Sequence, residues 1–172
     1  MSREMTTPPP PPAARKTSVG GDSGFYSPLR TTEGSLTARW APVWFNALRY
    51  SWSTLALVPA EPGLSAFTVG DALSAVGKLH RQTPVPLLNA QGLRLSETRA
   101  FTESMTAAVR EQGVCVTVVD SPLESESAIA IVAAADAAIL VVRLGAVRFA
   151  SARRTVELIG RDRFLGTIVL RP

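Results

Sequence analysis

Leu55-Ala56-Leu57-Val58-Pro59-Ala60-Glu61-Pro62-Gly63-Leu64-Ser65-Ala66-Phe67 is the stretch that decides the fold. Four apolar residues enter a turn marked by Pro62 and Gly63, and a helical pattern starts at Phe67. A short apolar run bounded by turn residues reads as a buried strand, so the unit is strand, tight turn, helix. A phosphate-binding loop needs that context. It also needs a closing Gly-Lys-Ser/Thr, whose lysine reaches the phosphates and whose hydroxyl binds Mg²⁺. Here those positions hold Ser65, Ala66 and Phe67. Glu61, Pro62, Gly63, Leu64, Ser65, Ala66 and Phe67 therefore read as a degenerate nucleotide loop, a frame without its working side chains.

The same alternation continues downstream. Strands are expected at about Ser53–Val58, Val85–Leu88, Val114–Val119, Ala138–Val142 and Thr167–Leu170. Between them the apolar spacing predicts helices at about Phe67–His80, Ser96–Gln112, Ser125–Ala134 and Val147–Ile159. The expected inner faces are Phe67, Leu73, Val76 and His80 on the first, Phe101, Met105, Ala108 and Val109 on the second, and Phe149, Ala152, Val156 and Ile159 on the last. Ser96 is the expected cap of the second, and Gly113 and Gly160 close the second and the last. Near-continuous apolar strands alternating with helices predict an α/β three-layer sandwich with a mostly parallel sheet, P-loop NTPase-like in its order of elements.

Two segments precede that alternation. Residues 1–36 are rich in Pro, Ser, Thr and Gly, including the run Pro8 to Pro12, and read as a disordered tail and spacer; residues 37–172 read as the α/β domain. Between Thr37 and Tyr50, Trp40, Trp44 and Leu48 recur at helical spacing on one face. That face either packs on the sheet or meets a partner, which makes Trp40 and Trp44 partner-binding candidates.

Composition closes off other chemistries. With 172 residues, 46% of them hydrophobic, the chain is long enough for one sizeable core. The single cysteine, Cys115, lies within an apolar strand and reads as a small buried hydrophobe, and with one histidine, His80, zinc ligands are lacking. No metal site is expected. No apolar run approaches the roughly 20 residues of a membrane span, and the Pro-rich start lacks a signal core, which predicts a cytoplasmic protein. The net charge of +4 is spread along the chain, so nucleic acid is not the expected partner. Arginines interleaved with the last helix read mainly as its solvated face.

In parallel sheets ligands bind beyond the carboxyl ends of the strands. After strand two comes Asn89-Ala90-Gln91-Gly92-Leu93-Arg94, and after strand three comes Asp120-Ser121-Pro122. Together with Ala60-Glu61-Pro62-Gly63 and the later Ala135-Asp136-Ala137-Ala138-Ile139-Leu140-Val141-Val142-Arg143, this order of motifs resembles the bacterial tyrosine kinases of capsule and exopolysaccharide synthesis (BY-kinases), relatives of the MinD/ParA ATPases. The resemblance spans about Val43 to Leu170. It implies a loop reading Ala-Glu-Pro-Gly-Glu-Gly-Lys-Ser-Thr, a second motif Asp-Ala-Asp-Leu-Arg, a third Asp-Ser/Thr-Pro-Pro, and an oligomerisation helix near Leu48-Arg49.

The departures from that pattern carry the functional expectation. Ala66 has no charge and Phe67 no hard oxygen. Asn89 and Gln91 are neutral amides where the family has two carboxylates, forming a degenerate second motif. Asp120, Ser121 and Pro122 are the remnant third motif, with Asp120 expected to cap the turn before Pro122. Phosphoryl transfer works through positioning and charge neutralisation, and each such electrostatic group is worth about 2.7–4 kcal/mol. The resemblance therefore implies a pseudokinase with no catalytic residue, with ATP and Mg²⁺ not expected as cofactors, acting by protein–protein interaction in exopolysaccharide synthesis or export. Its implied partners are the cytoplasmic part of a membrane polysaccharide chain-length regulator or an active kinase paralogue, with self-association possible and a place at the inner membrane through that partner. Arg49, Arg153 and Arg154 are further contact candidates. The alternatives are an active MinD/ParA-like ATPase with a remodelled loop, or a ParA-like DNA-partitioning protein.

Overall fold

The computed structural model describes residues 28–145 and 148–171, with side chains from Thr37 onward. Strands β1 (Thr54–Pro59), β2 (Leu87–Asn89), β3 (Cys115–Val118), β4 (Ala137–Arg143) and β5 (Phe164–Leu170) form one sheet. Helices α2 (Phe67–Arg81), α3 (Thr98–Gln112), α4 (Glu126–Ala134) and α5 (Phe149–Ile159) connect them in turn, and α1 (Pro28–Ala47) comes first. All pairings are parallel, in the order β2-β3-β1-β4-β5. This is the α/β sandwich the alternation predicts, with the P-loop NTPase-like order of elements.

The step from β1 to β2 runs one way across the sheet and the three later steps run the other. Right-handed crossovers then put α2 on one face and α3, α4 and α5 on the opposite one. The period of two along the strands supplies both cores. Leu55 and Leu57 meet Trp40, Trp44, Leu73 and Val76 under α1 and α2. Ala56 and Val58 meet Met105, Ile131, Val132 and Ile159 on the other side.

Local chemistry moved several boundaries. β2 starts at Leu87 rather than Val85, because Pro84 and Pro86 have no N–H for the ladder; the Pro86 carbonyl still accepts from Val116 N at 2.9 Å. Ser96 does not cap α3. It lies in a single 3₁₀ turn, Leu95–Glu97, where the Glu97 carboxylate takes the Arg94 N–H at 2.8 Å. Gly113 does close α3, at φ +81. Ser125 accepts the Ala128 N–H at the start of α4. α1 begins at Pro28, so residues 28–36, assigned above to the tail, are helical; residues 1–27, including Pro8 to Pro12, lie outside the described residues.

Two expected inner residues face outward: Phe67 and Phe149, each the first residue of its helix, are exposed, Phe149 at 84%. His80, at the end of α2, is exposed too, but its imidazole lies against α1, where Nδ1 accepts the Trp44 indole N–H at 3.4 Å. Residues at a helix start overhang the sheet edge, where spacing alone does not say what lies beneath. On α2 the inner face is Val69, Ala72, Leu73 and Val76 with Gly70 and Gly77, and on α5 the buried residue is Thr155.

Trp40 and Trp44 are corrected as partner-binding candidates, because both indoles are spent inside this chain. Trp44 is fully buried and its ring lies directly on α2 at Gly77, where an added Cβ would come within 2.6 Å of it. Trp52 meets Trp44 edge-on at 5.8 Å and donates its indole N–H to the Ala47 carbonyl at 2.8 Å, satisfying the last turn of α1. A large flat ring opposite a missing side chain is what binds α1 to α2.

Candidate functional site

The carboxyl edge of the sheet brings three loops together. The first is residues 60–66, after β1. Ala60 N extends the ladder to the Val141 carbonyl at 2.9 Å, and the Thr155 hydroxyl donates to the Ala60 carbonyl at 3.3 Å. The Leu64 N–H closes the turn on the Glu61 carbonyl, with Gly63 at φ +72, a conformation that favours glycine. Leu64 and Ala66 are buried, so the loop is anchored by its apolar residues.

Several of the turn's polar groups already have partners. Gly63 N donates to the Glu124 carboxylate at 3.4 Å. Phe67 N, at the start of α2, donates to the Ser65 hydroxyl at 3.2 Å. Glu61 accepts the backbone N–H of Arg148, tying the turn to the start of α5. An anion arriving at the α2 N-terminus would thus meet a carboxylate on the Gly63 amide, against the attraction that backbone amides normally offer there.

The second and third loops lock onto the first and onto each other. Asn89 Oδ1 accepts Gln91 N at 3.1 Å, and the Gln91 side chain reaches the Ser65 hydroxyl at 3.3 Å. Asp120 takes the Gly92 N–H at 2.6 Å, with Gly92 at φ +72. The expected turn cap at Asp120 is therefore corrected: Ser121 serves the turn, its hydroxyl accepting Leu123 N at 3.4 Å and its carbonyl accepting Glu124 N and Ser125 N, while Asp120 reaches across to the neighbouring loop. Pro122 is buried beside it.

The structure thus gathers Glu61 to Phe67, Asn89, Gln91, Asp120, Ser121 and Pro122 at one edge. Across loops 60–67, 89–94 and 120–125 the acids are Glu61, Asp120 and Glu124, and the one cation, Arg94, lies 3.8 Å from Glu97. For a magnesium nucleotide the donor set does not fit: Phe67 offers no side-chain oxygen, Asn89 and Gln91 are neutral, and Asp120 is left as the one carboxylate of the three motif positions, with one of its oxygens on the Gly92 N–H. No group of three or more potential metal ligands occurs among the described residues. Trp40, Trp44 and Arg49 lie at the opposite end of the molecule, toward the amino edge. Arg153 and Arg154 sit on the exposed side of α5, both paired with Glu157 at 2.8 and 3.6 Å, and the Arg153 hydrogen bond foremost holds that carboxyl below its usual range.

Two groups elsewhere complete the electrostatics. Cys115 is buried and its thiol is pushed up to about 11, by burial first and by the charge of Asp136 second, so it is not a nucleophile. Asp136 accepts Ser53 N at 2.8 Å, Thr54 N at 2.9 Å and the Thr54 hydroxyl at 3.0 Å, clamping the start of β1 to the start of β4. Partial burial works against its charged form, but these donors and Arg163 outweigh that and hold its carboxyl below the ordinary 3.8. The role of Glu124 had no signal in the sequence, since it depends on two loops 61 positions apart; Asp136, directly before an apolar strand, had a faint one.

The fold is similar to that of the BceF tyrosine kinase domain. The two superpose with a TM-score of 0.61 at 14% sequence identity, covering 81% of this chain and 77% of that one. At that identity the likeness concerns the fold alone. No family model matches the sequence, and no curated protein does. Among the described residues no helix is long and apolar enough to cross a membrane.

Proposed function

We propose that this chain is a catalytically inactive relative of the BY-kinases that works by protein–protein interaction in bacterial exopolysaccharide synthesis or export. The carrying observation is the Glu124 carboxylate on the Gly63 amide, in a loop that also lacks a lysine and a hydroxyl at its end. The loop keeps its place between β1 and α2, while its neighbours Gln91 and Glu124 bond the Ser65 hydroxyl and the Gly63 N–H. The likeness to a tyrosine kinase domain supports the setting, and the neutral Asn89 and Gln91 support the loss of chemistry. The proposed partner is the cytoplasmic part of a membrane chain-length regulator or an active kinase paralogue.

Isothermal titration with ATP, with and without Mg²⁺, tests the reading. The expected result is no heat of binding at micromolar nucleotide in either buffer. Micromolar, Mg²⁺-dependent affinity would instead favour a MinD/ParA-like ATPase with a remodelled loop.

A further inference from the structure

At the amino edge of the sheet, opposite the degenerate loop, α1 and α2 end side by side. Phe45 and His80 touch edge to face at 4.9 Å, which fixes the two helix ends against each other. Among the described residues, four of the nine exposed large hydrophobics belong to these ends: Phe45 at 49%, Leu48 at 37%, Tyr50 at 55% and Leu79 at 55%. Beside them stand Arg49 and Lys78, both exposed and without an ion pair among the described residues. The segments that form the tip carry no acid of their own: residues 34–60 and 72–96 contain no Asp or Glu. Arg49 and Tyr50 also line a cavity between the end of α1 and β5, but Phe45, Leu48 and Leu79 line neither it nor the cavity beside Asp136, so these three side chains project.

We propose that this double helix end is a membrane-contact surface that inserts Phe45, Leu48 and Leu79 at the headgroup level of an anionic bilayer, with Arg49 and Lys78 on the lipid phosphates. Projecting apolar side chains ringed by cations suit a fluid interface that needs no shape match, and Tyr50 has the amphipathic ring that settles at headgroup depth. Phe45, Leu48 and Leu79 stand outside the concave lining that Arg49 and Tyr50 form with β5, so a partner seated in that cavity would leave them uncovered. The surface is remote from the loop, so the inference stands whether or not the loop takes nucleotide.

The test is co-sedimentation of the full chain with vesicles of phosphatidylcholine mixed with phosphatidylglycerol, against vesicles of phosphatidylcholine alone. The expected result is pelleting with the anionic vesicles only, weakened at high salt. Arg49→Gln with Lys78→Gln should weaken it about tenfold or more, as each cation near such a surface adds about fivefold. Phe45→Ser with Leu79→Ser should weaken it comparably while far-ultraviolet circular dichroism stays unchanged. The proposal is overturned if anionic vesicles do not pellet the chain, or if either substituted pair binds like the parent. It is equally overturned if polyglutamate in solution binds the chain as tightly as the vesicles do and with the same sensitivity, which would mark the surface as a seat for acidic protein.

Discussion

Replacing Gly77 by alanine puts two effects of opposite sign at one position. In a helix interior the change should help, by about 0.5–1 kcal/mol of backbone entropy. The added Cβ, however, would stand 2.6 Å from Cη2 and 2.9 Å from both Cζ2 and Cζ3 of Trp44. The indole cannot step aside. It is fully buried, its edge is held by Trp52, and its N–H points to His80 Nδ1 at 3.4 Å. Forcing a methyl into such packing costs about 1–3 kcal/mol, and an overlap with three ring atoms belongs at the upper end. The net expectation is a loss of about 1–2 kcal/mol, or roughly 2–8 °C in melting temperature for a domain of this size. Thermal melts followed by circular dichroism and by tryptophan fluorescence measure it. The steric cause has its own check, because Trp44→Phe supplies the missing room: Gly77→Ala should cost less when combined with Trp44→Phe than in the parent, by about 1 kcal/mol. If Gly77→Ala melts at or above the parent temperature, or costs the same in both backgrounds, the account of how α1 is held is wrong.

Asp136→Asn should remove an acid-sensitive share of stability. Its folded pKa lies below the ordinary value, so the parent's advantage over Asp136→Asn is full above about pH 4 and fades as pH falls through the folded pKa; urea melts at stepped pH that show a constant gap down to about pH 2 would contradict this. Cys115 should stay unreactive toward a disulfide reagent at about pH 8 until urea unfolds the chain, and labelling at the rate of a free thiol would refute its burial and raised pKa. Thr155→Val should cost about 1 kcal/mol in chemical denaturation, since it leaves the Ala60 carbonyl without its hydroxyl donor; no change would mean that the α5 contact with the end of β1 adds nothing.

The alternation of apolar runs with helical spacing was enough for the sheet, because parallel strands buried on both faces leave a strong local mark. The inner face of α3 was equally legible: Met105 is buried with Phe101, Ala108 and Val109 packed around it. Periodicity failed at the helix starts, where Phe67 and Phe149 count as apolar but overhang the sheet edge. It also passed over Thr155, whose burial depends on a carbonyl 95 positions away. The absent side chains of the loop could be read directly, at Ala66 and Phe67. What fills the loop could not, because the bonds from Gly63 to Glu124 and from Gln91 to Ser65 join segments that only the finished sheet makes neighbours.

β1 sits in the middle of the sheet, yet its two neighbours are made much later. Thr54 lies opposite Cys115, and Leu55 opposite Ala137. During synthesis this fully buried strand therefore leaves the ribosome long before either flank exists, while α1 and α2 already have each other through Trp44 and Gly77. Closing loops of that length is slow, and unpaired apolar strands are prone to aggregate in the interval. The helix pair offers β1 one covered side during that wait. A loosened Trp44–Gly77 contact would then lower the yield of soluble protein at high expression temperature, beyond what the loss in melting temperature alone accounts for.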